Sequence, residues 1–363
     1  MIHHNQIPED IAIRVPYEDI HSLVVSILAA LGLPNGDAQI SADALLYADI
    51  RGIDSHGVSN MLPHYVKWIK NGSLNSQPNL KVVRQAAATA TIDGDEGLGF
   101  SAGKMAMEMA LDKAEDTGIG SVVVNNSRHC GATAYYAHMA LERDMIGIAM
   151  TVGGVMMPPT FGAKAMIGSN PIACAAPTKT EPPFVFDAAT TSVAANRIVI
   201  NRRLGTEIPG GWIARPDGTP IMESGLVPDK FLVLPTGGTR EGGSHKGYGL
   251  GVMVDILSGL LGGEPASFQR QSSNRIDVSH HFIAYRIDAF TDLEAFKVDM
   301  DFYMKSLRET PPAEGYEQVY YAGLPEHETE IQRRNKGIPY HPEVIEWFST
   351  IASELGVDHP LKD

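Results

Sequence analysis

A histidine stands among small and polar residues in the segment NNSRHCGATAYY, residues 125–136. The segment follows a run of valines, 122–124, and precedes a stretch of helical texture, which places His129 at the end of a predicted strand. Functional groups gather at strand ends, and an imidazole titrates near neutral pH. His129 is therefore a candidate for proton transfer, and the alternative is a loop histidine bonded to a carbonyl oxygen.

Three further polar clusters lie at junctions between predicted elements, among small residues that let a ligand approach the backbone. They are RGIDSHG (51–57), IGSNP (167–171) with FDAAT (186–190), and GGSHKGYG (242–249). In the first cluster His56 could face a cleft, and the simpler interpretation is that Asp54 and Ser55 cap the next helix.

The cluster at 242–249 precedes an apolar helix predicted over 247–261. A glycine-rich turn there would present backbone N–H groups at the positive end of the helix dipole, and Lys246 would add a mobile charge. This combination suits a phosphate group. The alternative is a glycine loop with a solvated lysine.

The elements that position these clusters follow from periodicity. Apolar spacing predicts helices over 17–31, from an N-cap at Asp37 to about residue 50, and over 57–70. From about Lys81 onward, short β-rich segments alternate with helical ones, which is α/β or α+β texture. Charged helices are expected at about 324–336 and 342–355, where they could pack on the N-terminal helices.

Composition excludes several classes of partner. The chain has 363 residues and a formal net charge of -14, so it offers no basic surface for nucleic acid or an anionic membrane. Its start lacks the features of a signal peptide, no apolar run approaches the ~20 residues of a membrane span, and it has two cysteines. We expect a cytoplasmic protein. The absence of CxxC and HExxH spacing gives no indication of a metal site.

Two competing motifs overlap in GLGFSAG, residues 97–103. The GxGxxxG match to a dinucleotide fingerprint is weak, because a Rossmann turn leaves its strand directly and GDEG intervenes here. The GxSxG match would make Ser101 a hydrolase nucleophile, with Asp187 and His280 following in hydrolase order. A nucleophile elbow also requires a sharp turn directly after a strand, so a helix-capping loop is the favoured interpretation. Cys130 next to His129 is expected to serve packing.

The segments RGIDSHG, NNSRHCGATAYY, GSNP, DAATTSVA and SHKGYGLG occur in this order along the chain. Together they closely resemble the malate/L-lactate dehydrogenase family of the second type. That family includes ureidoglycolate dehydrogenase, sulfolactate dehydrogenase, diketogulonate reductase and piperideine-2-carboxylate reductase. The resemblance extends from about residue 15 to residue 355.

The resemblance implies a nicotinamide-dependent oxidoreductase that binds NAD or NADP in a domain that is not a Rossmann fold. It implies a helical domain built from both termini, 1–78 plus 324–363, and an α/β domain over 79–323 that binds cofactor and substrate, usually in a homodimer. His129 then corresponds to the general acid/base, with Ser55 and His56 as substrate or catalytic groups. The cofactor contacts it implies are Gly153, Asp187, Ala188, Ala189 and Lys246.

The sequence departs from the family's pattern at three places. The family commonly carries an arginine shortly after its SHG, suited to a bidentate grip on a carboxylate, and none occurs in 58–65. A serine common after the His129 segment is replaced within 151–154, and a proline-glycine-acid element is altered at 322–324. The remaining candidates for substrate binding are Arg51, Asn60, Tyr65 and Ser169, together with Arg128, His56 and His64.

The sequence thus predicts a dehydrogenase or reductase of a small 2-hydroxy acid, 2-oxo acid or cyclic imino acid. Hydride transfer at the nicotinamide must be matched by proton transfer at the substrate, which His129 would perform. The alternatives are a serine hydrolase that uses Ser101 and a non-catalytic nucleotide-binding protein.

Overall fold

The computed structural model describes residues 7–272, 278–359 and 361. Its strands are β1 (Ile13–Val15), β2 (Lys81–Gln85), β3 (Thr89–Asp93), β4 (Ile119–Ser127), β5 (Met145–Thr151), β6 (Ile172–Ala176), β7 (Phe184–Ala188), β8 (Ile213–Ala214), β9 (Leu232–Val233), β10 (Val278–Arg286) and β11 (Ile338–Tyr340). Its α-helices are α1 (Tyr17–Ala30), α2 (Asn35–Ile50), α3 (Val58–Lys70), α4 (Gly99–Thr117), α5 (Ala134–Met139), α6 (Ala195–Leu204), α7 (Ser244–Val254), α8 (Ser267–Ser272), α9 (Leu293–Arg308), α10 (Leu324–Lys336) and α11 (Pro342–Leu355).

Seven strands form the central sheet in the order β2-β3-β4-β10-β5-β6-β7. Strands β3 and β4 are parallel, and every other neighbouring pair in this sheet is antiparallel. The alternating texture after Lys81 predicted an α/β or α+β architecture, and the structure shows a mixed one whose sheet is mostly antiparallel. Helix α4 covers the sheet closely, because a Cβ at Gly120 of β4 would lie 1.8 Å from the Ala110 carbonyl oxygen.

The predicted helices at both termini form largely as the periodicity indicated. Strand β1 pairs with β11, with Ile13 opposite Tyr340, and so joins the first described strand to the last. Helices α1, α2, α3 and α11 share one hydrophobic core, which includes buried Leu28, Leu45 and Phe348. The two ends of the chain therefore fold together through apolar burial, the main favourable term in folding. Within the described residues, no helix is long and apolar enough to cross a membrane.

The carboxyl group of Asp49, near the end of α2, holds the first turn of α3. It accepts hydrogen bonds from the Val58 N–H at 3.1 and 3.2 Å and from the Tyr340 hydroxyl at 2.6 Å. Burial raises the pKa of Asp49 to about 7, while the hydrogen bond from Tyr340 favours the charged form. Gly57 makes room for this contact, since a Cβ there would lie 1.6 Å from a carboxylate oxygen of Asp49.

Arg333 on α10 completes the same network. Its guanidinium donates to the backbone carbonyl of Asp49 and to the carboxylate of Asp54, the latter at 2.7 Å. Helix α10 therefore fixes the turn between α2 and α3, which carries the SHG residues. Through Arg333, the C-terminal helix α10 is thus attached to the N-terminal helices.

Two predicted caps are wrong. Helix α3 is not capped by Asp54 or Ser55, because the distant Asp49 satisfies its first turn and Asp54 pairs with Arg333. Helix α2 begins at Asn35 after Pro34, so Asp37 lies inside its first turn rather than at the N-cap. For α3, partners outside the predicted cap determined the local arrangement.

We expect Asp49→Ala to lower the free energy of unfolding by about 2–4 kcal/mol, because it removes the cap of α3 and leaves a buried tyrosine hydroxyl unpaired. Urea denaturation would measure the loss. Asp43→Ala on the same helix is the matched control. Asp43 is 48% exposed and pairs with His21, so its loss should cost about 1 kcal/mol or less. Equal losses for the two variants would contradict a special role for Asp49.

Candidate active site

His129 lies in the loop between β4 and α5, as predicted, and faces helix α3. The backbone carbonyl of His129 accepts a hydrogen bond from the Gly99 N–H at 3.1 Å, so the first residue of α4 holds the loop. The space is tight, because a Cβ at Gly99 would lie 2.6 Å from the Arg128 carbonyl oxygen. This close approach explains the glycine better than a dinucleotide fingerprint does.

The imidazole of His129 meets Tyr65 of α3. The Tyr65 hydroxyl lies 2.6 Å from Nδ1 of His129, and the Gly131 N–H points to the same nitrogen at 3.2 Å. The amide can only donate, whereas the hydroxyl can donate or accept. Nδ1 is therefore fully engaged inside the protein, and Nε2 is the ring nitrogen left for a ligand.

His56 stacks on His129, with ring centroids 5.7 Å apart and planes inclined by 13°. Its Nδ1 lies 2.9 Å from the Ser55 hydroxyl, and the Ser55 carbonyl accepts a hydrogen bond from the Asn196 side chain at 2.8 Å. The structure thus brings the three predicted catalytic residues, Ser55, His56 and His129, into one cluster. Asn196, at the start of α6, connects the cluster to the segment after β7.

The cluster keeps both imidazoles neutral at physiological pH. Burial, followed by the nearby imidazoles of His56, His280 and His64, lowers the pKa of His129 to about 3. Burial lowers the pKa of His56 to about 4. A neutral ring can accept a proton, so the arrangement suits a base more readily than an acid in the protein without ligand.

The predicted substrate-binding residues differ in whether they contact the cluster around His129. Tyr65 belongs to the cluster, but its hydroxyl is used by His129. Asn60 donates to the Asp54 carbonyl at 2.6 Å. Arg51 is 3% exposed, pairs with Glu330 at 2.7 Å and lies over the Tyr47 ring. Its guanidinium is thus not presented to an open cleft.

Arg128 is likewise engaged. Its guanidinium donates to backbone carbonyls, including that of Ser73 at 3.1 Å, and pairs with Glu96 at 3.0 Å. Because both arginines are paired within the protein, the remaining candidates for binding a substrate carboxylate are His56, His64 and the backbone near Ser169.

Asn170 joins one predicted cofactor residue, Gly153, to helix α7, which carries Lys246 in its first turn. The Asn170 side chain accepts from the Gly153 N–H at 2.9 Å and donates to the Gly251 carbonyl of α7 at 2.7 Å. Ser169 accepts from the Thr190 N–H at 2.8 Å, which ties it to the segment after β7. Asn170 is fully buried and has a φ of 37°, which asparagine tolerates better than most residues.

Asp187 and Lys246 differ in what they contact. The Asp187 carboxylate accepts from the Ala134 N–H at 2.7 Å, at the start of α5, so it helps to place the His129 loop. Ala188 and Ala189, which follow it, are partly buried at the end of β7. Lys246 is exposed in the first turn of α7, after Gly243 with a φ of 95°. The lysine is therefore available to an incoming anion.

The hydrolase triad is not assembled. Ser101 lies inside helix α4, where its hydroxyl donates to Asp37 at 2.6 Å. His280 is buried in β10 and contacts the Thr151 hydroxyl at 2.7 Å. With Asp187 bound to the start of α5, none of the three meets another in the contacts described. The glycines of this motif serve close packing instead, since a Cβ at Gly103 would lie 2.6 Å from the Tyr136 ring.

The sequence interpretation of Cys130 can be judged from the structure. Cys130 is 1% exposed in a hydrophobic core, and burial raises the pKa of its thiol to about 12, so packing is its role. Among the described residues, no group of three or more His, Cys, Asp or Glu side chains is arranged to hold a metal ion.

Sequence reasoning missed two asparagines that connect the clusters. Asn170 was visible within GSNP, but its function as a bridge between 153 and 251 depends on contacts across 17 and 81 residues. Asn196 contacts Ser55 across 141 residues, and no local pattern marks it. The placement of DAATTSVA before Asn196 was the nearest available signal.

Comparison with known proteins shows which family the chain resembles. A family model described as malate/L-lactate dehydrogenase matches residues 15–349. The malate dehydrogenase of Pyrococcus abyssi (strain GE5 / Orsay) is 41% identical over 348 residues, 95% of this chain and 96% of that protein. The L-sulfolactate dehydrogenase of Methanocaldococcus jannaschii is 34% identical over 347 residues, 94% and 97% of the two chains.

The fold agrees as well. The crystal structure of malate dehydrogenase from Entamoeba histolytica matches with a TM-score of 0.91 at 30% sequence identity. The match covers 96% of this chain and 100% of that one. The mixed, mostly antiparallel sheet and its helices are therefore shared with a solved dehydrogenase.

We expect His129 and His56 to stay neutral from about pH 8 down to about pH 5.5, because a lowered pKa means that each ring binds a proton only in more acidic solution. Histidine NMR would follow the ring carbon resonances, with His129→Gln and His56→Gln used to assign them. A midpoint near 6.5 for either ring would show that the cluster does not desolvate it.

Proposed function

Because the chain belongs to the malate/L-lactate dehydrogenase family, we propose that it transfers a hydride between a nicotinamide cofactor, NAD or NADP, and a small 2-hydroxy or 2-oxo acid. The chain is an oxidoreductase, and its relatives include enzymes named for malate and for sulfolactate. We further propose His129 as the general acid/base. The observation that carries this role is the contact of Nδ1 with Tyr65 and Gly131, which leaves Nε2 for the substrate.

The residues around α7 fit the phosphates of such a cofactor. Lys246 is exposed beside a left-handed glycine turn, Gly243, and no side chain of the described residues caps this helix. A lysine at the positive end of a helix dipole is a usual partner of phosphate. Gly153 and Ser169 lie at the other side of this region, joined to α7 through Asn170. The mostly antiparallel sheet supports a cofactor site unlike that of the parallel Rossmann fold.

A bound nicotinamide ring gives or takes a hydride at its C4 carbon. The protein's own residues supply the proton transfer. For the oxidation direction we propose that the neutral ring reacts as the tautomer with its proton on Nδ1, which donates to the Tyr65 oxygen, so that the Gly131 N–H contact is given up. Nε2 of His129 then accepts the proton of the substrate hydroxyl as the C–H bond is lost. In the reduction direction the same nitrogen returns the proton to the substrate oxygen. A substrate carboxylate nearby would favour the charged ring and raise the pKa of His129 toward neutrality.

The substrate class follows from charge and size. The named relatives act on small hydroxy acids whose carboxylate adjoins the reacting carbon. In this chain Arg51 and Arg128 are paired with Glu330 and Glu96. We therefore propose that the carboxylate is held by His56, His64 and backbone groups near Ser169. A cyclic imino acid is the second candidate, because His129 could protonate a ring nitrogen in the same way.

We propose that the chain acts as a cytoplasmic homodimer, with a helical domain of 1–78 plus 324–363 and an α/β domain of 79–323. A band of exposed apolar side chains along α7 and along the π-helix Asp255–Leu260 that follows it supports a partner surface. The band consists of Leu250, Met253, Ile256 and Leu260, each between 40% and 49% exposed. Contiguous exposed apolar surface is typical of protein interfaces.

A substrate panel tests the proposed function. Purified protein would be assayed at 340 nm with NADH and NADPH against 2-oxo acids and cyclic imino acids, and with the oxidised cofactors against 2-hydroxy acids including malate and sulfolactate. We expect turnover of at least one acid with one of the cofactors. No turnover with any pair would refute the proposal, and turnover of the imino acids alone would establish the second candidate.

We expect Tyr65→Phe to lower kcat about tenfold, because the variant removes one hydrogen bond to the catalytic imidazole. The Tyr65 ring would still pack against Phe100, so the fold and the cofactor Kd should be preserved. Tyr47→Phe is the matched control, since Tyr47 contacts Nδ1 of His138 at 3.3 Å outside this cluster. An unchanged kcat in Tyr65→Phe would remove the hydroxyl from the mechanism.

We expect Lys246→Ala to raise the cofactor Kd about 5- to 100-fold, as for loss of a charge-assisted hydrogen bond to phosphate. Fluorescence titration with the reduced cofactor would measure it. Lys81→Ala removes an exposed lysine from β2, the edge strand opposite β7, and should leave the Kd unchanged. The same Kd for Lys246→Ala and the unsubstituted protein would place the phosphates elsewhere.

A further inference from the structure

Phe161 lies in the loop that connects β5 to β6, residues 152–171. The loop leaves the sheet near Gly153, a proposed cofactor contact, and returns to it near Ser169, proposed above to border the substrate carboxylate. The side chain of Phe161 is 88% exposed. Phenylalanine is among the residues most often buried, and this ring gains almost no burial within its own chain.

The backbone of Phe161 is strained and held in place. The Gly162 N–H donates to the Pro159 carbonyl at 2.7 Å, which closes a turn in which Phe161 has a φ of 67°. A glycine is favoured at such a position, because an L side chain is strained there. Gly218 packs against this turn, where a Cβ would lie 2.7 Å from the Gly162 carbonyl oxygen. The structure thus keeps a large ring where glycine would fit better.

The turn rests on the start of α7. The Thr160 hydroxyl lies 3.3 Å from the hydroxyl of Ser244, the first residue of that helix and two positions before Lys246. Farther along, the Met157 side chain contacts the helix at Gly251, where a Cβ would lie 2.7 Å from its terminal methyl group. The exposed ring is therefore presented beside the proposed phosphate-binding residues.

We propose that Phe161 stacks on the adenine ring of the dinucleotide cofactor, an inference that rests on the proposed nicotinamide-dependent function. Proton transfer by His129 requires the nicotinamide end to lie at the His129 cluster, so the adenosine lies on the other side of the phosphates. An exposed aromatic face next to phosphate donors matches a purine, because every base offers a π-face for stacking. The free-energy cost of the positive φ at Phe161 is then offset by stacking when the cofactor binds.

Isothermal titration calorimetry on Phe161→Gly tests the proposal with three probes: the preferred reduced cofactor, ADP-ribose and reduced nicotinamide mononucleotide. We expect the Kd for the cofactor and for ADP-ribose to rise about 5- to 100-fold, as for loss of one base-stacking contact. The Kd for the mononucleotide, which lacks adenine, should stay within about twofold. The Tm should not fall, because glycine relieves the positive φ.

Two further variants sharpen the result. Phe161→Tyr should retain the affinity for ADP-ribose, because it keeps the ring. Phe302→Ala removes a similarly exposed phenylalanine, 74% exposed on α9, and should change none of the three affinities. An unchanged affinity of Phe161→Gly for ADP-ribose would overturn the proposal. Weaker binding of all three probes together with a lower Tm would show a structural role and overturn it as well.

The failure of this inference differs from failure of the proposed function. If the unsubstituted protein binds none of the three probes, the nicotinamide-dependent function itself is refuted. If it binds the cofactor and ADP-ribose while Phe161→Gly binds them equally well, only the stacking proposal falls.

Discussion

The hydrogen bond between the Tyr65 hydroxyl and Nδ1 of His129 is the contact on which the site depends. It joins helix α3 to the loop after β4, at 2.6 Å between the two heavy atoms. Neither element could place the imidazole alone, because the loop supplies the ring and the helix supplies its orientation. The bond also decides which nitrogen meets a ligand, and it stands at a boundary between two separately packed cores.

The position of Tyr65 rests in turn on the network around Asp49. The Asp49 carboxyl group holds the start of α3, and Arg333 binds both the Asp49 backbone and Asp54. Residues near the C-terminus therefore stabilise the turn that carries His56. A buried carboxyl group with several hydrogen bonds is expensive to disturb, since each partner left unpaired adds its own desolvation cost. This explains why a helical unit made from both ends accompanies the sheet.

The sequence predicted the parts of the site more reliably than their connections. Helices at 324–336 and 342–355 were predicted from periodicity, and α10 and α11 have those bounds. The cluster of Ser55, His56 and His129 was expected from strand ends and from the family resemblance. The cap at Asp54 was wrong, because local spacing cannot show that Asp49 holds the first turn of α3 and that Arg333 pairs with Asp54. The cap at Asp37 was wrong, because α2 begins two residues earlier, at Asn35. The sequence alone allowed Arg51 and Arg128 to bind a substrate carboxylate, since the acidic partners that engage them lie 279 and 32 residues away.

The most direct test of the account compares the pH dependence of kcat/KM for hydroxy-acid oxidation in three proteins: unsubstituted, His129→Gln and His56→Gln. Because the free ring of His129 has a pKa lowered to about 3, activity of the unsubstituted protein should fall only well below pH 6.5, as the base is protonated. We predict that His129→Gln loses about 10²–10⁴-fold in rate and loses this ionisation, whereas His56→Gln retains it. Loss of turnover and of the ionisation in His56→Gln alone would contradict the account and assign proton transfer to His56.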